Sequence, residues 1–305
     1  MDPDFTLPIW SSPADTHTDA EMCADWHKLC AATPSIVEGA RRRVGMLLLT
    51  HHQPHFWETE GPTGDSIAKL WTNERLRASA VERTRKHYKV IYKSEIRRNI
   101  AFFSKAPLPT MYRPLLTKSI VLRTGATRVL DPCVGWGGRM VGTLAVDGTT
   151  FEGCEPFTKT YKGLVEIAEF CKISDRVTLH HAGAEAVLPT LPAGVYDLVL
   201  TSPPYFTLDV YGHEETQSIN KHTEWDSWVS GWLDPVIREC LRCLKVGGIS
   251  AWSVKNIKKH KLLDAVVTIH KKYGFTHYDT VGMSSTPRNR GGKARLAEET
   301  LLFRA

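Results

Sequence analysis

Short apolar runs alternate with longer helical stretches through the carboxyl-terminal two-thirds of the chain, and this alternation restricts the fold class. Strand candidates occur at 128–131, 151–154, 177–180, 196–201, 249–254, 276–281 and 299–304, and helical stretches at 139–146, 157–171, 223–244 and 260–272. Strands that are separated by helices pair in parallel, because the chain must cross back over the sheet between them. The sequence therefore predicts an α/β domain around a mostly parallel sheet. The last two strands have no room for a helix between them, so we expect them to pair antiparallel.

The fourth strand candidate ends abruptly at Thr-Ser-Pro-Pro-Tyr, residues 201–205. Two successive prolines cannot donate hydrogen bonds to a sheet, so the chain must leave the sheet in a stiff, extended turn. That turn offers a hydroxyl, backbone carbonyls and an aromatic ring, which together suit a flat heterocycle that carries an exocyclic amine. An ordinary loop at the end of a strand is the alternative. We predict a catalytic turn formed by Ser202, Pro203, Pro204 and Tyr205.

A glycine-rich turn follows the first strand candidate, in the sequence Asp-Pro-Cys-Val-Gly-Trp-Gly at 131–137. Glycines allow a backbone to approach a ligand closely. The second strand candidate leads to Glu155, 24 residues after Asp131. In dinucleotide-binding folds an acidic residue about 20 residues after the glycine turn reaches the ribose hydroxyls. The sequence thus indicates a cofactor that contains a nucleoside, bound at the carboxyl ends of the strands.

Together these motifs resemble the S-adenosylmethionine-dependent amino methyltransferases of DNA, and the Thr-Ser-Pro-Pro-Tyr form is most similar to the cytosine-N4 members. The resemblance covers roughly residues 100–305 and implies a Rossmann-like class I methyltransferase fold with a seven-stranded, mostly parallel sheet. It also implies the residues that bind S-adenosylmethionine, which are Asp131, Pro132, Cys133, Gly135, Gly137, Glu155, Pro156, Ala184, Glu185 and Ser202. Cys133 departs from the family, which often has phenylalanine there.

The reaction that the resemblance implies is direct methyl transfer to the exocyclic N4 amine of a cytosine flipped out of DNA, without a metal or a covalent intermediate. Adenine-N6 methylation is the nearest alternative. An RNA or protein amine methyltransferase and a catalytically inactive, nucleic-acid-binding subunit with the same fold also stay open. Pro132-Cys133 is similar to the nucleophile of cytosine-C5 methyltransferases, but it lies in the glycine turn, and we therefore exclude C5 chemistry.

Basic residues are clustered, and the net charge is +6 from 39 Lys and Arg against 33 Asp and Glu. Nucleic acids are held largely through their phosphates, so such clusters are candidate contacts. A solvated helix face is the alternative explanation. The predicted nucleic-acid-binding residues are Arg83, Arg85, Lys86, Lys89, Arg97 and Arg98 in one cluster, Lys258 and Lys259 in a second, and Arg288, Arg290 and Lys293 in a third.

The remaining expectations concern organisation and location. Residues 1–100 are predicted to form a helical extension that takes part in target recognition, and residues 101–305 the methyltransferase domain. The longest apolar runs fall far short of the roughly 20 residues that a membrane span needs. The amino terminus lacks a signal-peptide pattern, and the seven cysteines are scattered, which favours a reducing compartment. We expect a protein of the cytoplasm, nucleoid or nucleus, not secreted, that acts on DNA as a monomer or homodimer.

Overall fold

The structure, a computed structural model, describes residues 10–61, 63–206, 208, 210–257, 259–284 and 296–305. Contacts between Cα atoms divide the chain into two compact units. The first unit contains Pro54–Thr110 together with segments up to Thr16 and within Thr207–Gly212, and the second contains His17–Gln53, Met111–Phe206 and His213–Ala305. This division differs from the predicted boundary after residue 100, since residues 17–53 group with the carboxyl-terminal part of the chain.

Seven strands in the described residues form one sheet in the second unit. They are β1 (Arg128–Asp131), β2 (Thr150–Cys154), β3 (Val177–His180), β4 (Tyr196–Thr201), β5 (Leu244–Val254), β6 (Thr276–Ser284) and β7 (Leu296–Arg304). Their order in the sheet is β3-β2-β1-β4-β5-β7-β6. Neighbours pair in parallel from β3 to β5, whereas β7 is antiparallel to both β5 and β6. This is the Rossmann-like class I methyltransferase fold, and the predicted fold class and antiparallel final pair are confirmed.

The helices flank the sheet or build the first unit. In chain order they are α1 (Asp19–Ala31), α2 (Ile36–Arg41), α3 (Met46–His52), α4 (Ile67–Trp71), α5 (Glu74–Arg85), α6 (Lys93–Ser104), α7 (Pro114–Thr124), α8 (Gly138–Leu144), α9 (Thr158–Phe170), α10 (Ala184–Val187), α11 (Ser218–Lys221), α12 (Trp225–Trp228), α13 (Asp234–Cys243) and α14 (Leu262–Lys272). A π-helical turn, Val229–Leu233, joins α12 to α13. No helix in the described part of the chain is both long and apolar enough to cross a membrane.

Helix starts follow local sequence signals. Capping boxes begin α1 and α2, where Thr18 pairs with Glu21 and Ser35 with Glu38. In each box the hydroxyl accepts the N–H of the glutamate, and the carboxylate accepts the N–H of the cap, so two otherwise unpaired donors are satisfied. A proline, Pro114, occupies the first turn of α7, where its missing N–H costs no hydrogen bond.

The core of the second unit lies on both faces of the central strands, and β1, β4 and the part of β5 that follows Gly248 are almost wholly buried. The first unit has its own apolar cluster, which contains Ile67, Trp71, Ala80, Val81, Ile96, Ile100 and Ala106. The buried central strands explain why their sequences read as continuous apolar runs rather than as alternating ones.

Candidate active site

Four neighbouring parallel strands end at the same edge of the sheet. Leu130 of β1 pairs with Val199 of β4, Asp131 of β1 with Gly153 of β2, and Thr201 of β4 with Trp252 of β5. The turns that follow these strands therefore leave the sheet side by side, at the edge where ligands bind in open α/β sheets. The expectation that the glycine turn and the Ser-Pro-Pro-Tyr turn meet at one sheet edge is confirmed.

The glycine turn requires glycine for two different physical reasons. Gly135 and Gly137 have φ angles of 56° and 88°, which side chains adopt only at a cost. Gly138, at the start of α8, has no such angle, but a Cβ there would lie 2.0 Å from the carbonyl oxygen of Tyr112. Backbone packing thus excludes a side chain at Gly138, whereas conformation excludes one at the two glycines before it.

Asp131 organises the glycine turn from inside. Its side chain is fully buried. One carboxylate oxygen accepts the N–H of Cys133 at 3.1 Å, and the other accepts Nε–H of Arg139 at 2.7 Å. Arg139, itself 5% exposed, also donates to the carbonyls of Cys133 and Val134. The structure thereby gives Arg139 a positioning role that the sequence did not indicate.

Glu155 links the end of β2 to the glycine turn. Its carboxylate accepts the N–H of Gly135 at 2.9 Å and that of Phe157 at 2.8 Å. The side chain is nearly buried, and desolvation raises its pKa to about 7 although both N–H donors act in the opposite direction. The predicted ribose-binding acid therefore lies against the turn, with a charge state that changes near neutral pH. Pro156 follows it, and the Pro156 carbonyl accepts the hydroxyl of Thr216 at 3.3 Å.

Cys133 is half-buried, and its thiol has the properties of an inert one. Burial raises its pKa well above the ordinary value, and the nearby Asp131 carboxylate raises it further. A thiol that stays protonated is a poor nucleophile. The chemistry of this residue agrees with the exclusion of a covalent cysteine mechanism.

The 183–185 segment lies beyond β3, next to the end of β2. Ala184 is buried at the start of α10. The carboxylate of Glu185 accepts hydrogen bonds from Nζ of Lys221 at 2.6 Å and from Nε1 of Trp232 at 3.0 Å. Glu185 is therefore tied to two later parts of the chain, which the sequence did not predict.

The Ser-Pro-Pro-Tyr turn is held against β5. Ser202 and Pro204 are partly exposed, and Pro203 is buried. The hydroxyl of Tyr205 donates to the Ser253 carbonyl at 3.4 Å, and Nζ of Lys255 lies 5.5 Å from the centre of the tyrosine ring. The ring is 6% exposed, so this turn is rigid at its aromatic end as well as at its prolines.

Phe206 ends this turn in a strained backbone conformation. Its φ angle is 51°, which is uncommon for a residue other than glycine and is found preferentially at functional sites. Its ring packs against those of Trp225, Trp228 and His260, with centroid distances of 5.1 to 5.7 Å. The strain is thus maintained by an aromatic cluster next to the predicted catalytic residues.

Three tryptophans continue that cluster in a tryptophan column, formed by Trp225, Trp228 and Trp232. Successive rings are stacked with centroids 5.6 and 5.0 Å apart. His260 stacks on the outer ring at 4.6 Å. The outer ring is half-exposed and the inner two are buried, and the innermost indole donates to Glu185. The column therefore connects the proline turn to the 183–185 segment. The spacing i, i+3, i+7 of the three tryptophans places them on one face of the predicted helix 223–244. This was the sequence signal for the column, and the prediction did not include it.

The predicted nucleic-acid-binding residues fall into three groups in the structure. Lys259 is exposed. Arg83 is half-buried, and Arg85, Lys86, Lys89 and Arg98 are exposed on the first unit. Lys258, Arg288, Arg290 and Lys293 lie outside the described residues.

Arg97 differs from the rest of its cluster. It is 7% exposed, and its guanidinium donates to both carboxylate oxygens of Asp15 at 3.0 Å and to the Pro13 carbonyl at 2.5 Å. It also lies 4.4 Å from the ring centre of Trp57. This engagement argues against the predicted nucleic-acid contact, because burial and a bidentate partner leave the guanidinium no face for a phosphate.

Among the described residues, no group of three or more His, Cys, Asp or Glu side chains is placed to hold a metal ion. No protein-family model matches the sequence, and no curated protein sequence matches it.

Solved structures show distant similarity. Precorrin-8w decarboxylase of Methanobacterium thermoautotrophicum is 14% identical over 66% of this chain and 94% of its own, with a TM-score of 0.44. Precorrin-6y C5,15-methyltransferase of Geobacter metallireducens is 14% identical over 61% and 85%, with a TM-score of 0.41. TrmN of Thermus thermophilus is 17% identical over 67% and 52%, with a TM-score of 0.43. These similarities are too distant to assign an activity, so the fold assignment rests on the strand order of this chain.

Proposed function

We propose that this protein transfers a methyl group from S-adenosylmethionine to the exocyclic N4 amine of cytosine in DNA. The observation that carries the proposal is the position of two motifs on adjacent strands. The glycine turn follows β1 and the Ser-Pro-Pro-Tyr turn follows β4, and these strands pair in parallel within the strand order of class I methyltransferases. A cofactor on the first turn and an amine on the second would then be neighbours.

The residues at this edge fit the cofactor. A Cβ at Gly135 would meet no atom closer than 4.0 Å, so the turn has open space beside it. Glu155 at the end of β2 has the position and charge that suit ribose hydroxyls. The Thr201 hydroxyl is buried without a hydrogen-bond partner among the described residues, and a buried polar atom of that kind favours a ligand nearby. When bound, S-adenosylmethionine supplies an electrophilic methyl group on a sulfonium.

The proline turn would act on the amine of the base. The hydroxyl of Ser202 and the carbonyl of Pro203 accept hydrogen bonds from the amine hydrogens, which favours a pyramidal nitrogen with an available lone pair. Tyr205 is buried against β5 and holds the turn in position beside the base, rather than stacking on it as the sequence predicted. In-line placement of the nitrogen and the methyl group then provides most of the acceleration, since orientation alone can contribute several kcal/mol. A base inside a duplex must first be flipped out, at a cost of roughly a few kcal/mol.

The test is methyl transfer followed by identification of the product. The full chain is incubated with isotopically labelled S-adenosylmethionine and DNA, and the digested nucleosides are analysed by mass spectrometry. We expect N4-methylcytosine. N6-methyladenine, label transferred only to RNA, or binding of DNA without any transfer would each overturn the proposal.

Two variants assign the chemistry to the turn. Ser202→Ala and Tyr205→Ala should each lower transfer by on the order of 10²-fold, as removal of one preorganised hydrogen-bonding group does in other enzymes. Binding of S-adenosylhomocysteine, measured by calorimetry, should survive in both. The matched controls are Ser174→Ala and Tyr278→Ala, because both residues are exposed and distant in sequence from the turn. Full activity of the two turn variants would show that the catalytic assignment is wrong.

A further inference from the structure

Helices α5 and α6 and the turn between them form a helical hairpin in the first unit. Four large aromatic side chains are exposed on this hairpin. The exposed fraction is 63% for Phe102, 55% for Tyr92, 46% for Tyr88 and 42% for Phe103. All four lie within 16 residues of sequence, at the turn of the hairpin or at the end of α6. Aromatic residues are usually buried, and a concentration of them on a surface indicates an interaction site.

The hairpin does not use these rings for its own packing. Helices α5 and α6 pack through the apolar cluster that contains Ala80, Val81, Ile96 and Ile100. A hydrogen bond of 2.9 Å from Asn99 to Thr84 also joins the two helices. The interior of the hairpin is thus complete without the four aromatic side chains.

A guanidinium is already associated with two of the four aromatic rings, those of Phe102 and Phe103. The Cζ atom of Arg83 lies 4.1 Å from the ring centre of Phe102 and 5.8 Å from that of Phe103, and the two rings are 5.6 Å apart. Distances of this size are those of cation–π interactions. Arg98 lies four residues before Phe102 on α6, so the two side chains share a stripe of that helix.

The charges around the rings are predominantly positive. Arg83, Arg85, Lys86, Lys89 and Arg98 are accompanied by two acids, Glu82, which pairs with Lys86 at 3.2 Å, and Glu95, which pairs with Arg98. In the first pair both side chains are exposed, whereas in the second Arg98 is exposed and Glu95 is largely buried. Phosphates can replace an exposed ion pair at little cost. The two other basic residues of α6 are directed elsewhere, since Lys93 donates to the Ala14 carbonyl and Arg97 binds Asp15.

We propose that this aromatic–basic surface, formed by Arg83, Tyr88, Tyr92, Arg98, Phe102 and Phe103, binds an unpaired strand of nucleic acid. The rings stack on bases, and the basic side chains contact phosphates. In a duplex the faces of the bases are covered by their neighbours, and proteins read duplex DNA through polar contacts to base edges. Aromatic rings interleaved with basic residues match the unpaired strand, whose base faces are free. The inference extends the proposed function by naming the strand state of its substrate.

Binding of defined oligonucleotides tests this inference without methyl transfer. Fluorescence anisotropy of the full chain compares a labelled mixed-sequence strand of DNA with the same strand in a duplex, and a strand of RNA is included. We expect the unpaired strand to bind more tightly than the duplex. Phe102→Ala and Tyr92→Ala should each weaken strand binding by roughly 5- to 100-fold, the usual range for loss of one stacked base. Phe102→Trp should retain binding.

The control variant is Tyr278→Ala, which removes a comparably exposed tyrosine (45%) from β6 and should leave strand binding unchanged. Arg83→Ala and Arg98→Ala should each lower the slope of log affinity against log salt by about one. Circular dichroism should show the same thermal unfolding for Phe102→Ala as for the unaltered chain, since the substituted ring is exposed.

The outcomes separate this inference from the proposed function. Equal affinity for strand and duplex, or unchanged strand binding in Phe102→Ala, would overturn the inference even if cytosine is methylated. Loss of strand binding in that variant would support it even if no methyl transfer occurs. Self-association that Phe102→Ala abolishes, with no nucleic-acid binding, would show that the surface binds a second copy of the chain and would also overturn it.

Discussion

Two buried carboxylates that contact the glycine turn, Asp131 and Glu155, perform different tasks. Asp131 forms an ion pair with Arg139 at 2.7 Å and thereby determines the path of the glycine turn. The carboxylate of Glu155 accepts hydrogen bonds from two backbone N–H groups. Burial is the larger influence on its pKa and raises it. The sequence predicted the position of both acids, because motif spacing places them at strand ends. It did not predict their partners, which depend on side chains brought together by packing.

The raised pKa of Glu155 predicts that cofactor affinity depends on pH near neutrality. Desolvation holds this pKa at about 7, so the carboxylate is ionised above pH 7 and gains a proton as the pH falls through 7. Ribose hydroxyls donate to the ionised form. Affinity for S-adenosylhomocysteine should therefore be highest above pH 8 and should fall below pH 7, by at most tenfold per pH unit for one proton. Calorimetric titration between pH 5.5 and 8.5 measures this dependence.

The Glu155→Gln variant checks the assignment of that proton. It should bind more weakly at pH 8 and lose the dependence on pH in this range. Glu169→Gln makes the same change of charge at an exposed position of α9 and should retain the dependence. A Glu155→Gln variant that keeps the full pH dependence would show that another group titrates.

At the scale of elements, sequence periodicity predicted the sheet well and the irregular segments less well. Strand β5 begins at Leu244 rather than at 249, because Leu244 pairs with Tyr196 and Ile249 with Leu198. The residues between them form a bulge in which Val246 is fully exposed. Two glycines in this bulge, Gly247 and Gly248, interrupt the apolar pattern on which the prediction depended. Within the predicted helix 223–244, the sequence also did not predict the π-helical turn. The extra residue in such a turn does not change the amino-acid composition or interrupt the helix.

The tryptophan column predicts that its two ends affect different ligands. Trp225→Leu should raise the KM for the nucleic-acid substrate, because the outer, half-exposed ring adjoins Phe206. Trp232→Phe should weaken cofactor binding by roughly tenfold, because it removes the indole N–H that Glu185 accepts, and a hydrogen bond to a charged group contributes about 1.5–3 kcal/mol. Steady-state kinetics and calorimetry distinguish the two effects. Equal effects of both variants on both ligands would contradict this division.

At the scale of the whole molecule, the predicted division of the chain captured the helical character of the amino-terminal region but not its segmentation. The first unit takes segments from three places in the sequence, and Glu60 pairs with Val210 through two backbone hydrogen bonds of 2.9 and 3.0 Å. Such pairing between distant segments leaves no signal in composition. Residues 17–53 likewise contain ordinary amphipathic helices, and nothing in their sequence identifies the unit to which they belong.

Stability of the first unit should depend on Arg97 far more than on its neighbour Arg98. Arg97 is buried and binds Asp15, whose carboxylate is partly exposed and also lies 3.9 Å from Nζ of Lys93. Arg97→Ala removes the hydrogen bonds of a buried guanidinium, and a hydrogen bond to a charged group contributes about 1.5–3 kcal/mol. Arg98→Ala removes an exposed guanidinium from its ion pair with the largely buried Glu95 and should cost less, about 1 kcal/mol. Denaturant unfolding, followed by tryptophan fluorescence, measures both free energies of unfolding. Similar values for the two variants would show that the buried guanidinium contributes little.

The grouping of residues 17–53 with the sheet has a consequence for any attempt to shorten this protein. The ammonium of Lys118 in α7 is buried and donates to the carbonyls of Leu29 at 2.9 Å and Cys30 at 2.6 Å, which belong to the end of α1. A truncated chain that starts at residue 101 would lose both acceptors and keep the cation in a desolvated position. Deleting the first hundred residues would therefore damage the methyltransferase fold itself, and loss of activity in such a fragment would say nothing about target recognition.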